Sequence, residues 1–349
     1  MTKKRVFIYG GVLAVLALLI YLQFRTWRNF DWATFLSQTG QVREHSLDIV
    51  AATGLIYLAY IMRAVRWKIF LRPVKTTSTA GLIVPTIVGF TGLALLGRPG
   101  EFIRPYLIAR KENLSISSQL AVWTVERIFD VGSFALLLIS AIFFAQAPRQ
   151  LLYYDRFRIA GFAIIVLAVG LSAGAGLISW HGEALADWIA NRFSHLAANL
   201  GHRIALRIRE FRRGLNTIHS VSAFLQLVVI SVAMWMMIAV AYWEVMRSYG
   251  VASLSRPISQ VPLLMASSMV GSLIQLPGVG GGSQLATIST LQHVFQVPRE
   301  LAASCGILLW LTTFMSVIPL GLFLAHRQRL SLRALSAESQ QAETSSELP

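Results

Sequence analysis

Residues 258–297 read ISQVPLLMASSMVGSLIQLPGVGGGSQLATISTLQHVFQV, 40 positions without an Asp, Glu, Lys or Arg. As one helix rising about 1.5 Å per residue they would extend roughly 60 Å. That is twice the hydrocarbon core of a bilayer, which is about 30 Å thick. The segment must fold back. Its middle supplies the turn residues, Leu276-Pro277-Gly278-Val279-Gly280-Gly281-Gly282-Ser283, so the expectation is a helical hairpin or re-entrant pair with a glycine loop at membrane depth.

The rest of the chain agrees with a membrane setting. Of 349 residues, 55% are hydrophobic and 13% charged, with a mean hydropathy of +0.60. A soluble domain carries about 25% charge. Uncharged runs near 20 residues indicate an all-α polytopic membrane protein, not a barrel of short alternating strands. The net charge of +15 fits a positive-inside bias and anionic lipid, not nucleic acid. A single cysteine, Cys305, excludes a disulfide framework and a cysteine metal site.

Six runs read as full spans: residues 6–24, 46–62, 131–147 with a charged lead-in, 161–180, 220–243 and 301–325. The first follows Thr2-Lys3-Lys4-Arg5 and is too long for a signal-peptide core, so it is expected to be a membrane helix. A second broken stretch, residues 79–97, contains Pro85, Gly81, Gly89 and Gly92 and runs into GRPGEFIR at 97–104. With both broken stretches re-entrant, Lys and Arg divide 21 to 9 between the two sides. Both termini are then cytoplasmic, and the two stretches enter from opposite faces. Pro85 precedes Pro99-Gly100 by 14 residues, and Pro262 precedes Pro277-Gly278 by 15. Paired, oppositely entering Gly/Pro-broken elements are the mark of an inverted-repeat transporter.

Residues 1–326 are thus expected to form one transmembrane domain. Within it, 181–219 has apolar residues every three or four positions among six arginines, the pattern of an amphipathic helix on the cytoplasmic leaflet. Residues 331–349 are rich in Ser, Glu, Gln and Ala and are expected to be disordered.

Charge appears at depth in two places. Arg98, Glu101 and Arg104 surround the break at Pro99-Gly100, and Glu126-Arg127-Ile128-Phe129-Asp130 interrupts an apolar run. Charges at such depth are costly, face the protein interior and pair with one another. One reading is an ion-paired anchor between helices. The other is a site for a lipid phosphate held by Arg98, Arg104 and Arg127, with Glu101, Glu126 and Asp130 keeping the arginines in place. Backbone N–H groups of the loop Gly278–Ser283 would add to it. A third reading, an intramembrane enzyme with Mg²⁺ on Glu101, Glu126 and Asp130, is disfavoured. No nucleophile–base pair accompanies those carboxylates, and an arginine lies near each one. Neither metal nor cofactor is expected, and no catalytic residue is assigned.

Taken together, Gly97-Arg98-Pro99-Gly100-Glu101-Phe102-Ile103-Arg104, Glu126-Arg127-Ile128-Phe129-Asp130 and the loop Pro277, Gly278, Gly280, Gly281, Gly282, Ser283 resemble the motifs of one family. It is the lysylphosphatidylglycerol synthase transmembrane-region family of flippase-like membrane proteins. The resemblance covers about residues 6–326. It implies a domain that moves or holds lipids across a bacterial inner membrane, with anionic phospholipid or a polyprenyl-phosphate lipid as the cargo. After Ala325 only 24 residues remain, so no synthase activity is expected from this sequence. The family usually has an acid after the glycine loop, where this chain has Gln284. The alternative implied role is a non-catalytic membrane partner of a glycosyltransferase or lipid-modifying enzyme.

Overall fold

The computed structural model describes residues 31–144, 220–272, 275–276 and 280–328, with isolated positions between 155 and 209. The helix expected at 6–24, most of the segments 161–180 and 181–219, Pro277 and Gly278, and the tail 331–349 lie outside the described residues.

The described residues are helical almost throughout. Helix α1 (Trp32–Gln41) is capped by Asp31, whose Oδ1 accepts from the Ala33 and Thr34 amides. A 3₁₀ turn, Val42–His45, leads into α2 (Ser46–Leu71). Then come α3 (Thr79–Leu96), a 3₁₀ turn at Arg98–Phe102, α4 (Ile103–Glu112) and α5 (Ile116–Phe144). The second half holds α6 (Val221–Arg247), α7 (Val261–Gly271), α8 (Gly282–His293), α9 (Arg299–Trp310) and α10 (Val317–Arg327). Between α7 and α8, β1 (Gln275–Leu276) and β2 (Gly280–Gly281) pair antiparallel over two residues each. A single π turn, Leu311–Met315, joins α9 to α10.

Among the described residues, five helical stretches are long and apolar enough to cross a membrane: Ala33–Leu71, Thr79–Leu96, Ile116–Phe144, Val221–Arg247 and Arg299–Arg327. Outward positions on them are greasy, as at Val50, Leu136, Val229 and Phe323. That is what hydrocarbon contact requires of a helix apolar on all sides.

Helices α2 and α6 form the antiparallel spine. At one end Arg247 Nη2 meets Asp48 Oδ1 at 3.2 Å, and at the other Arg72 Nη1 donates to Gln226 Oε1 at 3.2 Å. The two broken segments are hairpins mounted on this spine. In the first, α3 runs in, the chain reverses at Gly97, and α4 returns to the start of α3. Its feet are clasped by Lys111 Nζ donating to the Gly81 carbonyl (2.7 Å) and by Lys75 Nζ donating to the Glu112 carbonyl (2.6 Å). These feet lie at the Arg72 end. In the second, α7 runs in, the β1/β2 ladder reverses the chain, and α8 returns. Arg256 clasps these feet, donating to the Phe295 carbonyl, while its own carbonyl accepts from Trp243 Nε1 at 3.0 Å. That places them at the Arg247 end. The hairpins therefore enter the bundle from opposite ends, as an inverted repeat requires.

The reversals need glycine. Gly97 has φ 71° and Gly281 has φ 121°, regions closed to side chains with a Cβ. The legs also need it. A Cβ on Gly89 would overlap Arg104, one on Gly100 the Gly92 carbonyl, and one on Gly271 the Gly282 carbonyl. Such small-residue contacts hold helices together where lipid offers no hydrophobic driving force. Gly100→Ala and Gly271→Ala are each expected to destabilise by about 1–3 kcal/mol, the cost of overpacking. Gly54→Ala and Gly132→Ala, which face open space, are expected to be neutral. Thermal unfolding in detergent checks this, and equal midpoints in all four variants would mean the legs are not closely packed.

Two expected boundaries move. The span read as 46–62 continues to Leu71, because arginine and lysine are good helix formers and the arginines that end the apolar run find buried partners. Arg63 and Arg66, which lie just past the apolar run ending at Met62, are thus inside a helix. The break at Pro99-Gly100 is a 3₁₀ turn that runs through Phe102, and the α-helix begins at Ile103.

Candidate functional site

The sequence motifs converge where the first hairpin packs on α2 and α5. Glu126 and Asp130 lie one turn apart on α5 and face α2 together. Arg66 takes both: Nη2 donates to Glu126 Oε1 at 2.7 Å, and Nη1 to Asp130 Oδ1 at 2.7 Å and to Ser231 Oγ of α6 at 2.9 Å. Arg66 and Glu126 have no exposed surface and Asp130 almost none. Arg104 comes in from α4. Its Nη1 donates to Glu126 Oε1 at 3.1 Å, its Nη2 pairs with Glu126 Oε2, and its guanidinium lies over the rings of Trp67 and Phe90. This layer joins the first hairpin, α2, α5 and α6 through one carboxylate pair.

Two further arginines stand on its open side. Arg127 Nη2 lies 3.4 Å from Glu126 Oε2 and 3.2 Å from Asp130 Oδ2, with 41% of its side chain exposed. Arg63 is 3.6 Å from Asp130 Oδ2, its guanidinium over Phe90, and its Nη1 makes no hydrogen bond. Four guanidinium groups thus share two carboxylates, and the surplus charge sits on Arg63 and Arg127.

Both line a cavity of about 270 Å³ between the hairpins. The first hairpin contributes Phe90 and Leu93, the second Ser268, Ser272, Ser283, Gln284 and Thr287. The spine adds Tyr60, Trp235 and Tyr242, and the far wall is Trp310, Thr313 and Phe314 around the π turn, a feature common at functional sites. The two Gly/Pro elements therefore meet across one cavity in mid-bundle. Gly281 gives α8 no side-chain cap, so the unpaired amides of its first turn, around Ser283 and Gln284, add positive potential beside the cavity.

The expected site residues separate into groups. Arg127 is at the cavity. Arg104 is buried under it, reaching a smaller pocket with Glu101, Trp123 and Arg127. Arg98, half exposed at the hairpin turn, pairs with Glu101 at 3.3 Å and lines neither space. Glu126 and Asp130 hold arginines as expected, whereas Glu101 holds Arg98 and not Arg104. Gly280 and Gly281 form the reversal, and Gly282, Ser283 and Gln284 begin α8. Arg63, Arg66, Trp235 and Trp310 were not among the candidates. A signal existed for the first two: Arg63, Arg66, Trp67 and Phe70 fall at i, i+3, i+4 and i+7, one face of a helix continuing the apolar run. Among the described residues no group of three His, Cys, Asp or Glu side chains could hold a metal, and each carboxylate of the charged layer meets an arginine.

A polytopic helical bundle, with two opposed hairpins closing on a basic cavity, defines a class of multi-pass membrane protein. The particular family follows from comparison: the model of the lysylphosphatidylglycerol synthase TM region matches residues 8–321, and the chain belongs to that family. It is also similar to the protein named Glycosyltransferase AglD of Haloferax volcanii, 28% identical over 137 residues, which is 38% of this chain and 21% of that protein. The chain thus spans about a fifth of the length of that curated relative. No solved structure matches it significantly. The family match agrees with the multi-pass membrane architecture.

Proposed function

We propose that the protein is a lipid transporter, not an enzyme, that carries an anionic phospholipid or a polyprenyl-phosphate lipid across the inner membrane of a bacterium. The observation that carries this reading is the surplus positive charge of Arg63 and Arg127 on a mid-bundle cavity bounded by hairpins from opposite ends. Charge at that depth is expensive and marks a substrate path, and opposed broken helices flank the substrate in alternating-access transporters. The headgroup phosphate meets Arg127, Arg63 and the first turn of α8, while the tails stay in the bilayer. The feet of the first hairpin, with Lys75 and Lys111, face the cytoplasm, where both termini lie.

The test is leaflet exchange of labelled lipids in liposomes holding the pure protein. Protein-dependent exchange of an anionic lipid is the expected result. No exchange of any lipid by folded protein would overturn the proposal.

One observation favours a second reading: a segment like this one occurs inside a longer protein named a glycosyltransferase. In that reading the chain is the membrane partner of a lipid-glycosylating enzyme. Exchange that appears only when such an enzyme is added would support it.

A further inference from the structure

We infer that the cavity selects headgroups whose phosphate charge is not balanced by an amine, and that Gln284 is a specificity-determining residue for this choice. The ligand class is a phosphate monoester or diester bearing hydroxyls, such as a phosphoglycerol or phospho-sugar headgroup. The inference rests on the lipid-transport reading for the attachment of that headgroup to a tail.

The residues that line the cavity carry hydrogen-bond donors without partners. Arg63 Nη1, Arg127 Nε, Trp235 Nε1 and Trp310 Nε1 all belong to its lining residues, are buried and have no hydrogen-bond partner. Trp235 is 8% exposed, and an indole N–H can only donate. Buried donors without partners are rare in proteins and call for an occupant that accepts. A phosphate has several acceptor oxygens and pairs strongly with guanidinium. Hydroxyl groups fit the remainder. Ser272, Thr287 and Thr313 donate to carbonyls of their own helices, at 2.6, 2.7 and 2.7 Å, leaving oxygen lone pairs that accept from ligand hydroxyls.

An ammonium finds no counter-charge. Among the described residues that line the cavity none carries a carboxylate, and Asp130, beside the two cavity arginines, is engaged by Arg66 at Oδ1 (2.7 Å) and by Arg127 and Arg63 at Oδ2 (3.2 and 3.6 Å). A primary amine would instead sit beside two guanidinium groups, and like charges in a confined site discriminate strongly between ligands. The volume agrees, because about 270 Å³ lies just below the ligand-site range of about 300–1,000 Å³, room for one headgroup without its tails. Gln284 stands in the first turn of α8 and lines the same cavity as Arg63 and Arg127, where an acid would give an amine its missing partner.

The experiment measures binding to the full chain in detergent by intrinsic tryptophan fluorescence. The probes are short-chain phosphatidylglycerol, short-chain phosphatidylethanolamine and soluble glycerol phosphate. Phosphatidylglycerol is expected to bind at least about tenfold tighter than phosphatidylethanolamine, a preference set by like-charge exclusion. Glycerol phosphate is expected to compete weakly. Competition by it equal to that of the lipid would mean a free-anion site and overturn the lipid part. Gln284→Glu is expected to bring the two lipids to parity or reverse their order. Equal wild-type binding of both lipids, or no change of order in a folded Gln284→Glu protein, would overturn the inference. If Gln284→Glu does not fold, the wild-type lipid panel decides. The two readings separate cleanly. Headgroup preference without leaflet exchange defeats the transporter and leaves this inference, while exchange of every lipid alike defeats this inference and leaves the transporter.

Discussion

Arg66→Ala is expected to abolish the folded protein. Its guanidinium has no exposed surface and holds Glu126, Asp130 and Ser231 at 2.7–2.9 Å. Removing it leaves Asp130 short of a strong partner and opens a void beside Trp67 in the tightest layer of the bundle. Breaking a buried ion pair by deleting one member costs about 3–5 kcal/mol, a large share of the roughly 5–15 kcal/mol that typical domains possess. Glu126→Ala should be comparably severe, because both Arg66 and Arg104 lose their carboxylate. Size-exclusion profile and thermal midpoint in detergent read this out. A monodisperse Arg66→Ala protein with the wild-type midpoint would show that the layer does not hold the helices together.

Arg127→Ala is expected to do the opposite: keep the fold and lose the function. Its side chain is 41% exposed, and Asp130 retains Arg66 and Arg63. Stability should shift by less than about 1 kcal/mol, as for exposed pairs. Leaflet exchange of anionic lipid should drop about 10–100-fold, which corresponds to losing one hydrogen bond to a charged group worth about 1.5–3 kcal/mol. Arg63→Ala should act in the same direction. Full exchange by a folded Arg127→Ala protein would remove this arginine from the site, and a misfolded one would assign it to the anchor. The contrast between Arg66 and Arg127 separates the two roles that charge at this depth can play.

That separation was half visible in the sequence. The motif Glu126-Arg127-Ile128-Phe129-Asp130 announced charge at depth, and both the anchor and the anion site were weighed. The anchor is built on Arg66 and Arg104, and the proposed anion site would use Arg63 and Arg127, which line the cavity. Arg104 was expected to touch ligand but is buried against Glu126, because the return of α4 lays it between Trp67 and Phe90. Arg66, the hub, falls outside the span read as 46–62 because a hydropathy run stops at the first charge, whereas a helix does not when its charges are met by partners far along the chain. Those partners lie 60, 64 and 165 positions away, beyond any local pattern.

By itself the sequence determined the membrane class, the two hairpins and their turns. Each of these follows from local chemistry: uncharged length against bilayer thickness, and Gly and Pro where a helix must reverse. The opposed entry was legible too, from the basic residues on either side. Only the tertiary structure decided which arginines are fully enclosed and which also line the cavity. Burial sets that distinction, and burial is a property of the packed layer. Four arginines on α2, α4 and α5 meet two carboxylates, and the pair left facing the cavity is chosen by the hairpin closing over the others.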